Sequence, residues 1–320
     1  MLTIHEFIQI YLDRAAPWIA VWLGAVALDM LFGGPRVLGL IPSLERLPTR
    51  TLQFFQTKLV RNNRSRRTHL WRGSVVTVVL VLLFGAVGYA VDQLVFIHPS
   101  MTALAVFFVA KFLSLKIAWQ QLQSSSAKPG AADYRQLTRK PIEVFGNYYV
   151  PAALLFVVGG FAFLLVFHCL HAANIEAEKA HKARKSANFF FLIPLQRMRS
   201  LLAIPGEISA AIVLIFASLF WPPANWKRSL SAIRYLGARV RHWPVIVTNY
   251  AFNWSLEAHS ISKATALSSQ KAEPIHWIGP ETGSAKLNAT DQKNGLIVAL
   301  IAFGLANTLL ALLWLAALIG

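Results

Sequence analysis

Acidic residues are scarce in this chain. Fourteen Asp and Glu stand against 31 Lys and Arg in 320 residues, and charged residues of both signs make up 14% of the total. A soluble domain carries nearer a quarter, so the composition excludes an ordinary water-exposed globule. The shortage also bears on chemistry, because magnesium and nucleotide phosphates are held with carboxylates. Cysteine is nearly absent: Cys169 stands alone, which excludes an intrachain disulfide and suits a fold that does not depend on oxidation. It lies near the end of an apolar run and reads as a packing residue. A basic leader is missing too. Met1 to Ala16 carry Glu6, Asp13 and Arg14, and no small-residue cleavage site follows the first apolar segment, so secretory processing is not expected.

What the chain has in abundance is apolar sequence, at 56% of residues and a mean hydropathy of +0.50. The runs are long enough to cross a hydrocarbon layer of about 30 Å. They predict an all-α integral membrane protein of about six transmembrane helices, forming a single polytopic domain over 1–320. The expected spans are 17–32, 74–97, 101–119, 149–170, 204–221 and 295–319. Polar loops at 34–73, 118–148, 173–200 and 223–294 separate them, with no internal repeat. Leu47, Leu52, Phe55 and Leu59 recur at helical spacing, so the first loop holds an amphipathic helix on the membrane surface. Helical sections are also expected at Trp226–Arg241 and Val245–Glu257.

The net charge of +17 resides in these loops. That distribution points to orientation and to membrane lipids with anionic headgroups as partners, and away from nucleic acid. Segment 34–73 carries nine Lys or Arg against Glu45, a net of +8; 118–148 carries +2 and 223–294 carries +5. Six crossings place these three on one face, and the positive-inside tendency makes that face cytoplasmic, in the cell inner membrane. Segment 173–200, at +4, then falls on the opposite face and disagrees. Either Gly159-Gly160 breaks the fourth segment into a re-entrant hairpin, or this loop is an exception. A simple crossing is the reading adopted.

Ionisable groups inside or beside apolar runs are expensive and mark candidate sites. Asp29, Glu143 and Glu207 are the three acids near span ends, and they are the candidate catalytic residues; Asn147 and Asn174 are candidate binding residues. Glu143 and Asn147, spaced i and i+4, fit a polar anchor or the rim of a pocket. Glu207 follows Pro205 at the start of an apolar run, where a helix N-terminus would stabilise its carboxylate; a functional role is the competing reading. His168 and His171, with Asn174, Glu178 and His181 on one helical face, have a spacing that can hold a metal. No Cys or Asp completes the set, and no metal site is expected. A cytoplasm-facing cavity bordered by Glu143, Asn147 and Glu207 is predicted, which Asn174 joins only if the fourth segment is re-entrant.

Several short motifs occur in a familiar order. Ala27-Leu-Asp29-Met-Leu-Phe-Gly33-Gly34-Pro35-Arg36 opens the series, and Arg72-Gly73 precedes the second span. Glu143 to Asn147, Pro151 and Gly159-Gly160 follow, then Asn174, Ile204-Pro205, His242-Trp-Pro244 and Trp277-Ile-Gly279 with Leu287 and Asp291. This order resembles the CobD/CbiB family of cobalamin-biosynthesis membrane proteins. The resemblance implies adenosylcobinamide-phosphate synthase chemistry, in which ATP and magnesium drive amide formation between adenosylcobyric acid and an aminopropanol or its phosphate. A corrinoid is then the implied partner. The departures are equally specific. Gly34 replaces an acid of the opening motif, an acid-bearing stretch is missing between Asn147 and Pro151, Ala177 replaces another Asp, and Met198-Arg199 stand where the family has an Asp pair. These losses predict a degraded site with weak or absent synthase activity. A non-catalytic membrane sensor or regulator of the AmpE-like kind, on the same scaffold, is the alternative. A small transporter has no support, since no span carries paired ions.

Overall fold

A computed structural model describes residues 4–32, 46–61, 64–97, 99–113, 133–182, 186–234, 242–257 and 277–319. The elements are almost all helical, and the protein is an all-α membrane protein. In chain order they are α1 (Ile4–Phe32), α2 (Arg46–Leu59), α3 (Arg66–Ile97), α4 (Pro99–Leu113), α5 (Asp133–Val144), a π-turn (Phe145–Tyr149), α6 (Val150–Lys182), α7 (Ser186–Leu219), α8 (Trp226–Ser231), α9 (Trp243–Phe252) and α10 (Ala289–Ile319). Among the described residues, five helical stretches are long and apolar enough to cross a membrane: Gln9–Leu31, Arg66–Val95, Tyr134–Ala180, Ala187–Leu219 and Ala289–Ile319. The apolar part of α4, Ser100–Ala110, is shorter; residues 114–119 of the expected third span lie outside the described residues.

α3 and α10 turn large apolar side chains outward, among them Val78, Leu82 and Tyr89 on one and Leu309, Leu312 and Leu318 on the other. A membrane helix needs no polar face, because its backbone satisfies itself and lipid accepts apolar side chains. The core forms elsewhere. α1 packs its Trp18 and Trp22 against Phe156, Phe161 and Tyr149, and α10 reaches Tyr149 through Phe303 and Asn307.

The main departure from expectation is the segment 149–170. Tyr148 stacks on Phe167 and packs at a tilt against His171, with ring centroids 6.2 and 4.7 Å apart. Its Oη lies 3.1 Å from His168 Nδ1, twenty residues further along the chain. A straight helix would separate those residues by about 30 Å. The chain therefore folds back on itself, and the turn is Gly159 (φ −137°, ψ 17°) and Gly160 (φ 60°, ψ −149°). A Cβ at Gly160 would require the left-handed region and would meet Asp92 Oδ1 at 2.6 Å.

The returning arm starts as a new helix, and its first N–H groups have no partner within it. Asp92 of α3 supplies one: its carboxylate accepts from Phe161 N at 2.8 Å and from Ala162 N at 3.3 Å. The simple crossing is thus corrected to a helical hairpin. The arm runs antiparallel to α3, so Ala173 and Ala177 reach the α3 N-terminal end. There they share one buried cluster with Leu52, Val76 and Phe191. Residues 173–182 and the start of α7 therefore stand at the same end of α3 as α2.

Smaller departures follow local rules. α2 forms as expected, with Leu52 fully buried and Phe55 and Leu59 partly so, but Leu47 points away. The helical section expected to Glu257 ends at Asn253, which takes the left-handed conformation that closes helices (φ 57°). Leu256–Glu257 then pairs with Trp277–Ile278 as a two-residue ladder. Residues 235–241, within the other expected helical section, lie outside the described residues, as do Gly33 to Arg36 of the opening motif.

Candidate functional site

The hairpin creates the site. Pro151 has no N–H to offer the Asn147 carbonyl one helical turn earlier, and the backbone between them widens into the π-turn. Arg199 of α7 fills the gap: its Nη2 donates to the Asn147 carbonyl oxygen. Arg199 is 1% exposed and lies over the Phe167 ring at 5.9 Å. Its Nη1 faces Glu207 Oε1 at 3.6 Å, and Glu207 is also 1% exposed. Two opposite charges thus sit inside the helical bundle, where an isolated one would be prohibitively costly.

α7 reaches this place by close approach. A Cβ at Gly206 would lie 2.3 Å from the Pro151 Cα, so only glycine lets α7 cross the start of α6 here. Glu207 does not begin a helix, since α7 runs unbroken through Pro205 from Ser186 to Leu219. The helix-terminus explanation for its carboxylate is therefore corrected. Its counter-charge is Arg199, eight residues earlier, at a position the sequence reading treated only as a lost acid.

Around this pair the predicted residues fall into two groups. Asn147 and Glu207 are brought together, joined through Arg199. Asn174 joins from the returning arm, as the hairpin alternative required: its Nδ2 donates to Glu178 Oε1 at 3.0 Å, and its Oδ1 accepts from Gln196 Nε2 at 3.3 Å. Gln196 is one turn before Arg199 on α7. The Asn147 Oδ1 is buried and has no hydrogen-bond partner among the described residues.

Glu143 and Asp29 stand further off. Glu143 Oε1 accepts from Arg139 Nε and Nη2, both at 2.6 Å, within α5. α1 runs antiparallel to α5 and the first arm, as Trp18 with Phe156 and Trp22 with Tyr149 show. Asp29, 1% exposed and two turns beyond Trp22, is thereby carried towards the Arg139–Glu143 end and away from Arg199.

His168 meets Tyr148, and among the described residues no group of three His, Cys, Asp or Glu side chains is placed to hold a metal ion. Sequence reasoning missed Asp92, Tyr148 and the central role of Arg199. Arg199 carried a legible signal, one of two arginines in a mostly apolar stretch. Asp92 carried one too, as the first acid after Glu45.

Fold and site together define a polytopic all-α membrane protein with a helical hairpin and a buried arginine–glutamate pair. No family model, curated protein or solved structure matches the chain.

Proposed function

We propose that this is a CobD/CbiB-like protein of the cell inner membrane whose intramembrane site binds a corrinoid-type, amide-bearing ligand without carrying out synthase chemistry. The observation that carries this reading is the commitment of the candidate acids Glu207 and Glu143 to guanidinium partners. Glu207 faces Arg199 at 3.6 Å and Glu143 is held by Arg139 at 2.6 Å. A carboxylate engaged by guanidinium is poorly disposed to hold magnesium against ATP phosphates, and Arg199 occupies a position where the resemblance places an acid. What remains is amide chemistry: the buried Asn147 Oδ1, with no hydrogen-bond partner among the described residues, is available to a donor from the side-chain amides of a corrinoid.

Two measurements test the reading. Expression in a strain lacking its own synthase, under conditions that require the last amide to be made, is expected to give no growth. Purified protein is expected to bind cobinamide in equilibrium dialysis, with binding weakened about tenfold or more by Asn147→Ala, as for loss of a hydrogen bond worth ~1.5 kcal/mol. Robust growth would restore the synthase. No cobinamide binding would leave the AmpE-like sensor as the better reading.

A further inference from the structure

α2 has two faces of different character. Pro48, Leu52, Phe55 and Leu59 turn inward, with Leu52 fully buried against Val76, Ala173 and Phe191. The opposite stripe carries Leu47, Arg50, Phe54 and Lys58, and Arg61 just beyond the helix, spaced by three or four residues. All five are exposed, Leu47 at 50% and Phe54 at 58%. Arg64 and Arg67 extend the exposed basic surface, while Arg66 is anchored over the Phe190 ring at 4.8 Å. No acid occurs between Glu45 and Asp92. A water-facing helix normally mixes both signs of charge, and a core face carries no cations; this stripe is neither.

Its depth is fixed by a hydrogen bond. The Leu59 carbonyl, one of the last unpaired acceptors of α2, takes Arg72 Nη1 at 2.7 Å. Arg72 stands where α3 changes from Arg66-Arg-Thr-His to its apolar run, next to Trp71, which is 72% exposed. A tryptophan at such a boundary marks the headgroup level of a bilayer. The C-terminal end of α2 is therefore pinned at that level, with its cationic and aromatic stripe turned outward.

We propose that the α2 stripe, with Arg61, Arg64 and Arg67 beside it, forms a fixed docking surface for anionic phospholipids of the host bilayer. Phe54 and Leu47 enter the acyl boundary, and Arg50, Lys58 and Arg61 meet lipid phosphates. Because the Leu52 contacts and the Arg72 bond hold α2 in place, the cations are arranged before lipid arrives. This surface is separate from the hairpin site and does not rest on what that site binds.

The test uses the full-length protein in neutral detergent, titrated with phosphatidylglycerol or phosphatidylcholine while the thermal unfolding midpoint is followed. Phosphatidylglycerol is expected to raise the midpoint and phosphatidylcholine to leave it unchanged. Combined Arg50→Gln, Lys58→Gln and Arg61→Gln changes should raise the half-saturating phosphatidylglycerol concentration on the order of 100-fold, about fivefold per cation. The lipid-free midpoint and helicity should stay unchanged. For the unaltered protein, 0.5 M salt, with a screening length of ~4 Å, should remove the preference. Equal response to both lipids overturns the proposal, as does a variant that responds like the parent or a preference that survives salt. A shift reproduced by glycerol phosphate alone would mean a soluble phosphate site, and one produced by an RNA oligomer would mean a nucleic-acid surface; either also overturns it.

Discussion

Arg199 makes three contacts of different kinds, and each answers a different deficit. The Asn147 carbonyl lacks a donor because Pro151 follows it, the Glu207 carboxylate needs a counter-charge, and the Phe167 face accepts a cation. Removing one side of a buried pair leaves the other uncompensated, which costs about 3–5 kcal/mol. Replacing both sides with apolar groups of similar volume is far milder. Arg199→Met alone is therefore expected to destabilise strongly, and Arg199→Met with Glu207→Leu to recover most of that loss. Chemical unfolding of the four proteins in micelles gives the cycle. Simple additivity of the two single changes would show that the charges do not act as a pair.

The hairpin is the element on which the site depends, and it rests on Gly159, Gly160 and Asp92. The Asp92 carboxylate receives two backbone N–H groups, and hydrogen bonds to a charged group contribute about 1.5–3 kcal/mol each. Asp92→Ala is accordingly expected to lower stability by several kcal/mol, measured as above, while a change within ~1 kcal/mol would mean that the cap carries no weight. The fold-back itself is directly testable, because Cys169 is the sole cysteine. In a Cys169→Ser background, Tyr148→Cys with His171→Cys should join under mild oxidation or a short bifunctional reagent. A straight crossing would hold them more than ~30 Å apart, and failure to join would refute the hairpin.

Much of this was legible in the sequence. The apolar runs, the amphipathic α2 and the Gly159-Gly160 break are local patterns, read from composition and spacing. The partner that makes the break a stable turn lies 69 residues earlier, and Arg199 meets Asn147 across 52. Such pairings depend on which helices pack together, and one chain read alone contains no record of that. The same limit explains Glu207. Its proline neighbour suggested a helix start, yet α7 passes through Pro205, and the true partner could be found only after the chain was folded.

At the scale of the whole molecule, one extra reversal rearranges the faces. With a simple fourth crossing, the +4 segment 173–200 lies opposite the +8 segment 34–73. With the hairpin the two meet, as the buried contacts among Leu52, Val76, Ala173, Ala177 and Phe191 require. The opposite end of α3 carries Asp92, the Gly159-Gly160 turn and the start of α4, which is poor in basic residues. Retention of positive charge on the cytoplasmic side then places segments 34–73 and 173–200 together on that side. Ser65 and Lys179 are exposed at the basic end, and Ser100 is exposed at the other. In the Cys169→Ser background, single Ser65→Cys and Lys179→Cys proteins should react with an impermeant thiol reagent only after the cytoplasmic face is opened. Ser100→Cys should react in intact spheroplasts. Lys179→Cys labelling together with Ser100→Cys would return segment 173–200 to the far face and remove the hairpin from the topology. All three labelling from the side opposite to that expected would keep the hairpin and invert the orientation, against the charge of segments 34–73 and 173–200.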